Sequence, residues 1–391
     1  MLGAAAVFAL LTAAPDPAGS WRGVLDLAGG PLGFGLEIAA EAGGLRAELC
    51  NAGECVPAGP VRIAGDSLVI ELRDYAATIA ARVSGDSLVG TYSNVGSRGP
   101  RVIPFRAARG RWAATTLPRG FAGQWDATLV SDGRASPRIF VFSNGAQGAE
   151  AAVISNTGDY GRFRGEAAGD SVAFSHFDGT FVYMFTARLD GDTLRGTFHA
   201  GLRTQTPFTA VRSSGRAHLR APTEVTRADT TEPFRFAFPD LAGRLVTQDD
   251  PRFRGKVVVV DVFGTWCSTC HYAAPILERF QREYGPRGLA VVGLAYEVTG
   301  DTAIDGVLVR RYREKFGLSF PLLLAGIGTA EMAAPTLPQL DGFTAFPTTI
   351  FLGRDGRVRR VHAGFYGPAT GEMHLRQVAE FRAVIEALLR E

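Results

Sequence analysis

The chain repeats itself. "AGSW" ending at Trp21 returns as "AGQW" ending at Trp125, and "AGDSL" from Ala64 returns as "AGDSV" from Ala168. "VSGDSLVGTY" from Val83 pairs with "LDGDTLRGTF" from Leu189, and "IPFRAAR" from Ile103 with "TPFTAVR" from Thr206. The offsets are 104, 104, 106 and 103, in the same order, so the region up to residue 215 holds two copies of one unit. Each copy consists of short runs, such as "SLVIEL" and "YAATIAARV" in the first and "TFVYMFTARL" in the second, broken by Gly-Asp, Asn-Gly or Ser-Gly turns. Runs of this length and period place apolar side chains on one face of a strand, and the turn residues join neighbours antiparallel. Seven or eight strands per copy suit a small barrel or sandwich. "GDSL" at Gly65 and at Gly85 also matches the start of an esterase motif, but both copies lie between two strands rather than at a strand-to-helix turn. A hairpin turn is the expected role. No polar cluster marks a site within the repeats, so a scaffold is expected there. A binding or docking module of the cell envelope is the alternative.

Past residue 215 the texture changes. "RAHLRAPTEVTRADTTEPF" (216–234) is polar and lacks periodicity, as a linker does. From Arg235 apolar runs alternate with helical patterns. "GKVVVVDVFG" and "GLAVVGLAYE" suit buried strands, "TCHYAAPILERFQREYG" and "VLVRRYREKFG" suit helices, and a hairpin turning at Arg354–Gly356 leads into a closing helix. The expected organisation is multidomain: a signal-like or anchor segment (1–19), β-rich repeats (20–112 and 113–215), the linker (216–234), and an α/β domain around a mixed sheet (235–391).

Cys267 and Cys270 stand in "VVVVDVFGTWCSTCHYAAP", two residues apart, after a strand and before a helix. Cys-x-x-Cys in that setting reads as a redox pair, whereas Cys-x-x-Cys-His, completed by His271, reads as a covalent haem site. Haem needs a second axial ligand, and nothing around Met332 or Met373 resembles a haem-pocket loop. No haem and no metal is therefore expected, and the working group is the cysteine pair itself. Unpaired N–H groups at a helix start favour a thiolate, so Cys267 should ionise more readily than a free cysteine. Cys270, one turn on, is placed to attack a mixed disulfide at Cys267. His271, in the first turn, would tune the thiolate if protonated.

Residues 236–391 resemble the TlpA/ResA-like thiol-disulfide oxidoreductases, a thioredoxin-fold family. The resemblance is carried by "FGTWCSTC", by Asp261 six residues before Cys267, by Pro275 in the helix, by "VRRYREKFGLSFPLLL" and by "FPTTIFLGRDGRV". It implies that Asp261 is the buried acid that accepts the proton of the second cysteine. It also implies that Pro347 is a cis-proline facing the disulfide, with Trp266, Ser268, Thr269, His271, Phe346 and Thr348 around it. Many ResA-like reductases carry Glu where this chain has Ala273, which leaves proton handling to Asp261, with Glu297 as a second candidate. Protein thiols or disulfides and an upstream thiol carrier are the implied partners, and the implied direction is reduction. A thioredoxin-fold peroxidase would want Thr where Gly264 stands.

Compartment follows from the ends and the other cysteines. The apolar run Leu2–Ala14 is too short to span a bilayer and suits a secretory signal, although no Lys or Arg precedes it. Cys50 and Cys55 flank "NAGE", a hairpin tip whose facing positions suit a structural disulfide. Both features favour export to the periplasm or cell envelope, with peripheral membrane association allowed. The 41 basic and 39 acidic residues nearly cancel, which leaves no electrostatic case for nucleic acid.

Overall fold

The computed structural model describes residues 16–96 and 99–391, so the candidate signal run lies outside the described residues. The two repeats are two closed eight-stranded antiparallel barrels, the first from Gly19–Leu27 to Gly99–Arg109 and the second from Gly123–Ser131 to Thr204–Arg212. Alternation sets which face goes inward. Along Ala77–Ser84 every second residue is buried, as the period-two sequence requires. The Gly-Asp pairs are two-residue hairpin loops, with Ala64 opposite Ser67 and Ser84 opposite Ser87.

The duplication extends to atomic detail. Trp21 and Trp125 are each buried, and each indole N–H donates to a carbonyl four residues earlier, Pro17 and Phe121, at 2.8 Å. Arg109 and Arg212 each lie 4.4 Å over those rings and bond to the carbonyls of Ala18 and Ala122. A cation on an indole face and a satisfied indole N–H together fasten the end of each barrel to its start. The interiors are filled by side chains, mostly aliphatic in the first barrel and phenylalanine-rich in the second.

The barrels are interlocked. Phe177 and Val182 of the second pack into the core of the first, where Phe177 meets Phe34 at 4.9 Å and Tyr92 at 5.2 Å. Asn51 donates to the Phe177 carbonyl and accepts its N–H, a buried amide satisfied across the junction.

The C-terminal domain has a five-stranded sheet ordered Leu322–Ile327, Leu289–Glu297, Val257–Phe263, Thr348–Leu352, Val358–Ala363. The first three strands are parallel and the last two antiparallel. Val257–Phe263 sits centrally with all seven residues buried, which is why its sequence shows no alternation. Helices Ser268–Tyr284, Thr302–Phe316 and Glu372–Arg390 cover the sheet. The polar stretch read as a linker is partly built in. Its Arg227–Ala228 pairs with Leu340–Asp341, and Phe234 is buried in the domain core. Among the described residues no helix is long and apolar enough to cross a membrane.

The equivalent glycines Gly90 and Gly196 allow strands to approach closely. A Cβ would come within 1.9 Å of the Ala80 carbonyl oxygen at the first and 2.0 Å of that of Thr186 at the second. Gly90→Ala should therefore destabilise by about 1–3 kcal/mol, as overpacking does. Val89→Ala, next to it and 62 % exposed, should change stability by less than about 0.5 kcal/mol. Denaturant midpoints of the two variants check the contrast.

Candidate active site

The central strand ends at Phe263, and Gly264–Trp266 lead to a helix capped by a sulfur. Cys267 is the N-cap of Ser268–Tyr284, and its Sγ accepts the backbone N–H of Cys270 at 3.2 Å. Cys267 and Cys270 are joined in a disulfide, with Cα atoms 5.3 Å apart. Cys270 is fully buried and Cys267 is 4 % exposed. Pro275 lies within the helix and cannot donate to the carbonyl one turn back. Separately, Tyr312, on Thr302–Phe316, donates its hydroxyl to the Cys270 carbonyl at 2.8 Å.

Two carboxyl groups flank the loop. Asp261 lies in the central strand, 3 % exposed, opposite Thr349. Neither Asp261 Oδ1 nor the Thr349 hydroxyl has a hydrogen-bond partner. Burial alone pushes Asp261 up to about 7, into the range where it can exchange a proton. Glu297 accepts from the N–H of Thr265 at 2.8 Å and from its hydroxyl at 2.6 Å. Burial raises it to about 8. Its bonds reach the loop two residues before Cys267, so Glu297 fixes the loop's position.

Trp266 donates its indole N–H to the Tyr296 carbonyl at 2.8 Å and packs edge-on against Phe346 at 5.3 Å. Phe346–Pro347 is a cis peptide bond, and Thr348 behind it is fully buried with its hydroxyl on the Ala345 carbonyl. His271 departs from expectation. Its Nε2 lies 2.7 Å from the Thr265 carbonyl, so it carries the proton there, and its ring stacks on Tyr75 of the first barrel at 5.3 Å. Burial, and then the nearby Lys315, lower it to about 4. At neutral pH the ring is uncharged, so it supplies no positive charge to a thiolate.

The barrels reach this site, which the sequence of the repeats did not lead us to expect. Tyr272 of the active-site helix donates to Glu54 at 3.1 Å, Lys315 pairs with Asp74, and Gly367 donates to Asp159. Phe181 approaches Trp266 at 6.3 Å between ring centres. A polar cluster thus exists in the barrels, brought together by folding from strands and a loop of both copies. Its members include Glu54, Asp159, Arg162, His176 and Asp178, which face Ser268 and Thr269 across a cavity of about 180 Å³. The Cys50–Cys55 disulfide ties the hairpin whose tip carries Asn51 and Glu54 to this cavity. Among the described residues no group of three or more His, Cys, Asp or Glu is placed to hold a metal ion.

Residues 226–373 match the Redoxin family model. The thiol-disulfide oxidoreductase ResA of Geobacillus thermodenitrificans is 27 % identical over 143 residues, 37 % of this chain and 74 % of that protein. ResA of Halalkalibacterium halodurans is 26 % identical over 152 residues, 39 % of this chain and 73 % of that protein. Among solved structures, a thiol:disulfide interchange protein of Chlorobium tepidum is 22 % identical, covering 42 % of this chain and 99 % of its own, with a TM-score of 0.32. By the family model, residues 226–373 form a Redoxin domain, and that part of the chain is similar to thiol-disulfide oxidoreductases.

Asp261 offers a pH test. A carboxyl raised by folding stabilises fully below its unfolded value, and that contribution is lost as pH rises through the folded value, here about 7. Asp261→Asn should match the wild type at pH 3 and exceed it by up to about 4 kcal/mol at pH 8.5, measured as the denaturant stability of the C-terminal domain. A difference independent of pH would contradict the burial.

Proposed function

We propose that the chain is an exported thiol-disulfide oxidoreductase that acts as a reductant. Reduced Cys267 attacks a partner disulfide, and Cys270 resolves the mixed disulfide by attacking the Cys267 sulfur. The oxidised pair is then recharged by an upstream thiol carrier. The observation that carries this reading is the sulfur of Cys267 at a helix N-terminus, accepting a backbone N–H, with its resolving partner one turn on. A sulfur so placed is the better anion of the two and the better leaving group.

Asp261 takes the proton of Cys270 in this scheme. Burial keeps it near 7, so it accepts and returns that proton near neutral pH. Pro347 ends the loop where Trp266 and Phe346 pack, its carbonyl held by the Gly364 N–H, and in this scheme its ring and the preceding Phe346 face the substrate. The charge around the pair supports the reducing direction. A pair becomes oxidising when its thiolate form is strongly stabilised, and neutral His271 adds nothing to that stabilisation. Export is supported by the Cys50–Cys55 disulfide, since such bonds persist in oxidising compartments.

Cys270→Ser should accumulate covalent adducts at Cys267, identified by mass spectrometry of the quenched protein. Absence of any adduct with a reactive disulfide contradicts the mechanism. Equilibrated with glutathione, the wild-type pair should lie nearer to thioredoxin, about −270 mV, than to a strong oxidant at about −120 mV.

A further inference from the structure

We propose that the cavity between the barrels and the active-site helix receives the half of a substrate disulfide that becomes joined to Cys267, and that it selects an ammonium group close to the sulfur, as in a small aminothiol disulfide. The proposal rests on the exchange reading above and names its substrate class. Thr269 walls the cavity, and its Oγ1 lies 3.4 Å from Cys267 Sγ, so a substituent on a sulfur bound there is within reach of the opening. About 180 Å³ is the share of roughly six waters, enough for a short aminoalkyl tail and too little for a folded surface.

The charges facing the cavity are nearly all spoken for. Arg162 bonds to Glu54 and Glu150, and Lys315 to Asp74. Glu54 also accepts from Tyr272, and Asp159 accepts the N–H groups of Gly161 and Gly367. Asp178 is the exception. Its Oδ1 accepts from Thr180 and Phe181 at 3.0 and 2.8 Å, but Oδ2 has no hydrogen-bond partner, in a residue 7 % exposed. A buried carboxylate oxygen without a donor is costly and marks a place for one.

His176 completes the recognition. Its Nδ1 is held by the Arg162 carbonyl at 2.8 Å, and its Nε2 lies 3.8 Å from Asp178 Oδ2, beyond hydrogen-bond length. Oδ2 is closed to a water-sized probe as the side chains stand, so an ammonium enters by parting them and then donates to Oδ2 and to Nε2 together, a charge-assisted pairing. Burial opposes charge on His176, but Asp178, the Arg162 carbonyl and Glu54 together outweigh it, so the ring holds a proton more readily than usual. The incoming ammonium takes that proton's place. A carboxylate tail would instead meet Asp178 directly.

The chemistry balances. The Cys267 thiolate attacks one sulfur of R–S–S–R, the S–S bond breaks, and the first R–S⁻ leaves and is protonated. The other R–S remains on Cys267 with its ammonium in the cavity. The Cys270 thiolate attacks the Cys267 sulfur, releases the second R–SH and restores the Cys267–Cys270 bond. Two electrons and two protons pass from the cysteine pair to the substrate, and a dithiol reductant recharges the pair.

The test uses the full chain, reduced with dithiothreitol and freed of it. It is mixed with cystamine (cationic), hydroxyethyl disulfide (neutral) or dithiodipropionate (anionic), and reoxidation of Cys267–Cys270 is followed by quench, alkylation and mass spectrometry. Each rate is divided by that of the same disulfide with free dithiothreitol. Normalised cystamine should exceed hydroxyethyl disulfide by about tenfold or more, the worth of one charge-assisted hydrogen bond, with dithiodipropionate slowest. Asp178→Asn should bring the cystamine ratio to within about twofold of unity. A disulfide-linked Lys-Cys peptide that matches cystamine would assign the same ammonium recognition to a chain segment, and one that lags would assign it to the small molecule. Equal normalised rates for the three disulfides with the wild type overturn the subsite and leave the exchange reading standing, whether or not the variant folds. No reaction with any disulfide removes both.

Discussion

A helix begins with backbone N–H groups that have no partner inside it, and in this chain a sulfur takes one of them. Cys267 caps Ser268–Tyr284 with its Sγ, and much of the C-terminal domain serves to put it there. The fully buried strand Val257–Phe263 fixes where the chain emerges. Glu297 holds Thr265 by two hydrogen bonds, and Trp266 is held at its indole N–H, so the two residues before the cysteine are set from the neighbouring strand. Asp261 waits below in the same strand, kept near neutrality by burial. The local charge around the sulfur is therefore that of the helix N-terminus, with His271 uncharged beside it.

The barrels make this site different from an isolated redox domain. Interlocked through Phe177 and Asn51, they present loops from both copies to the active-site helix. Asp74 and Tyr75 follow "SLVIEL" in the first copy, and His176 and Asp178 follow "SVAF" in the second. Asp74, Tyr75 and Asp178 lie in corresponding loops, between the fifth and sixth strands of each barrel, and His176 lies at the end of the strand that enters the second loop. Duplication thus gave two versions of one loop, and both turn toward the same helix. The first lays an aromatic ring on His271 and pairs Asp74 with Lys315. The second supplies the acid and imidazole that face the cavity.

Much of this was legible before any coordinates. The offset near 104 residues announced two copies, and alternation with Gly-Asp turns announced their strands, because period and turn chemistry are local properties. The run "VVVVDVF" followed by Cys-x-x-Cys located the redox pair, and "FPTT" located the cis-proline. What stayed hidden depends on docking. His271 read as a residue able to carry charge, since nothing in "CSTCHYAAP" tells of Tyr75 stacking on it or of the half-buried place it takes against the first barrel. Nothing in the sequence of the repeats sets Glu54, Asp159 and Asp178 apart from the other acids there. One signal was available. "RDYAA" and "HFDGTF" occupy equivalent places in the two copies, and both replace a short glycine-bearing turn with a stretch that holds an acid and an aromatic ring.

The assignment of Cys267 as the nucleophile is tested most directly by the pH profile of its alkylation in the reduced full chain, read residue by residue with mass spectrometry. A sulfur stabilised by the helix start should react with a midpoint at or below about 7.5, under the 8.5 or so of a free thiol, while Cys270 stays protected. Equal reactivity of the two cysteines, or a Cys267 midpoint at or above about 8.5, would contradict it.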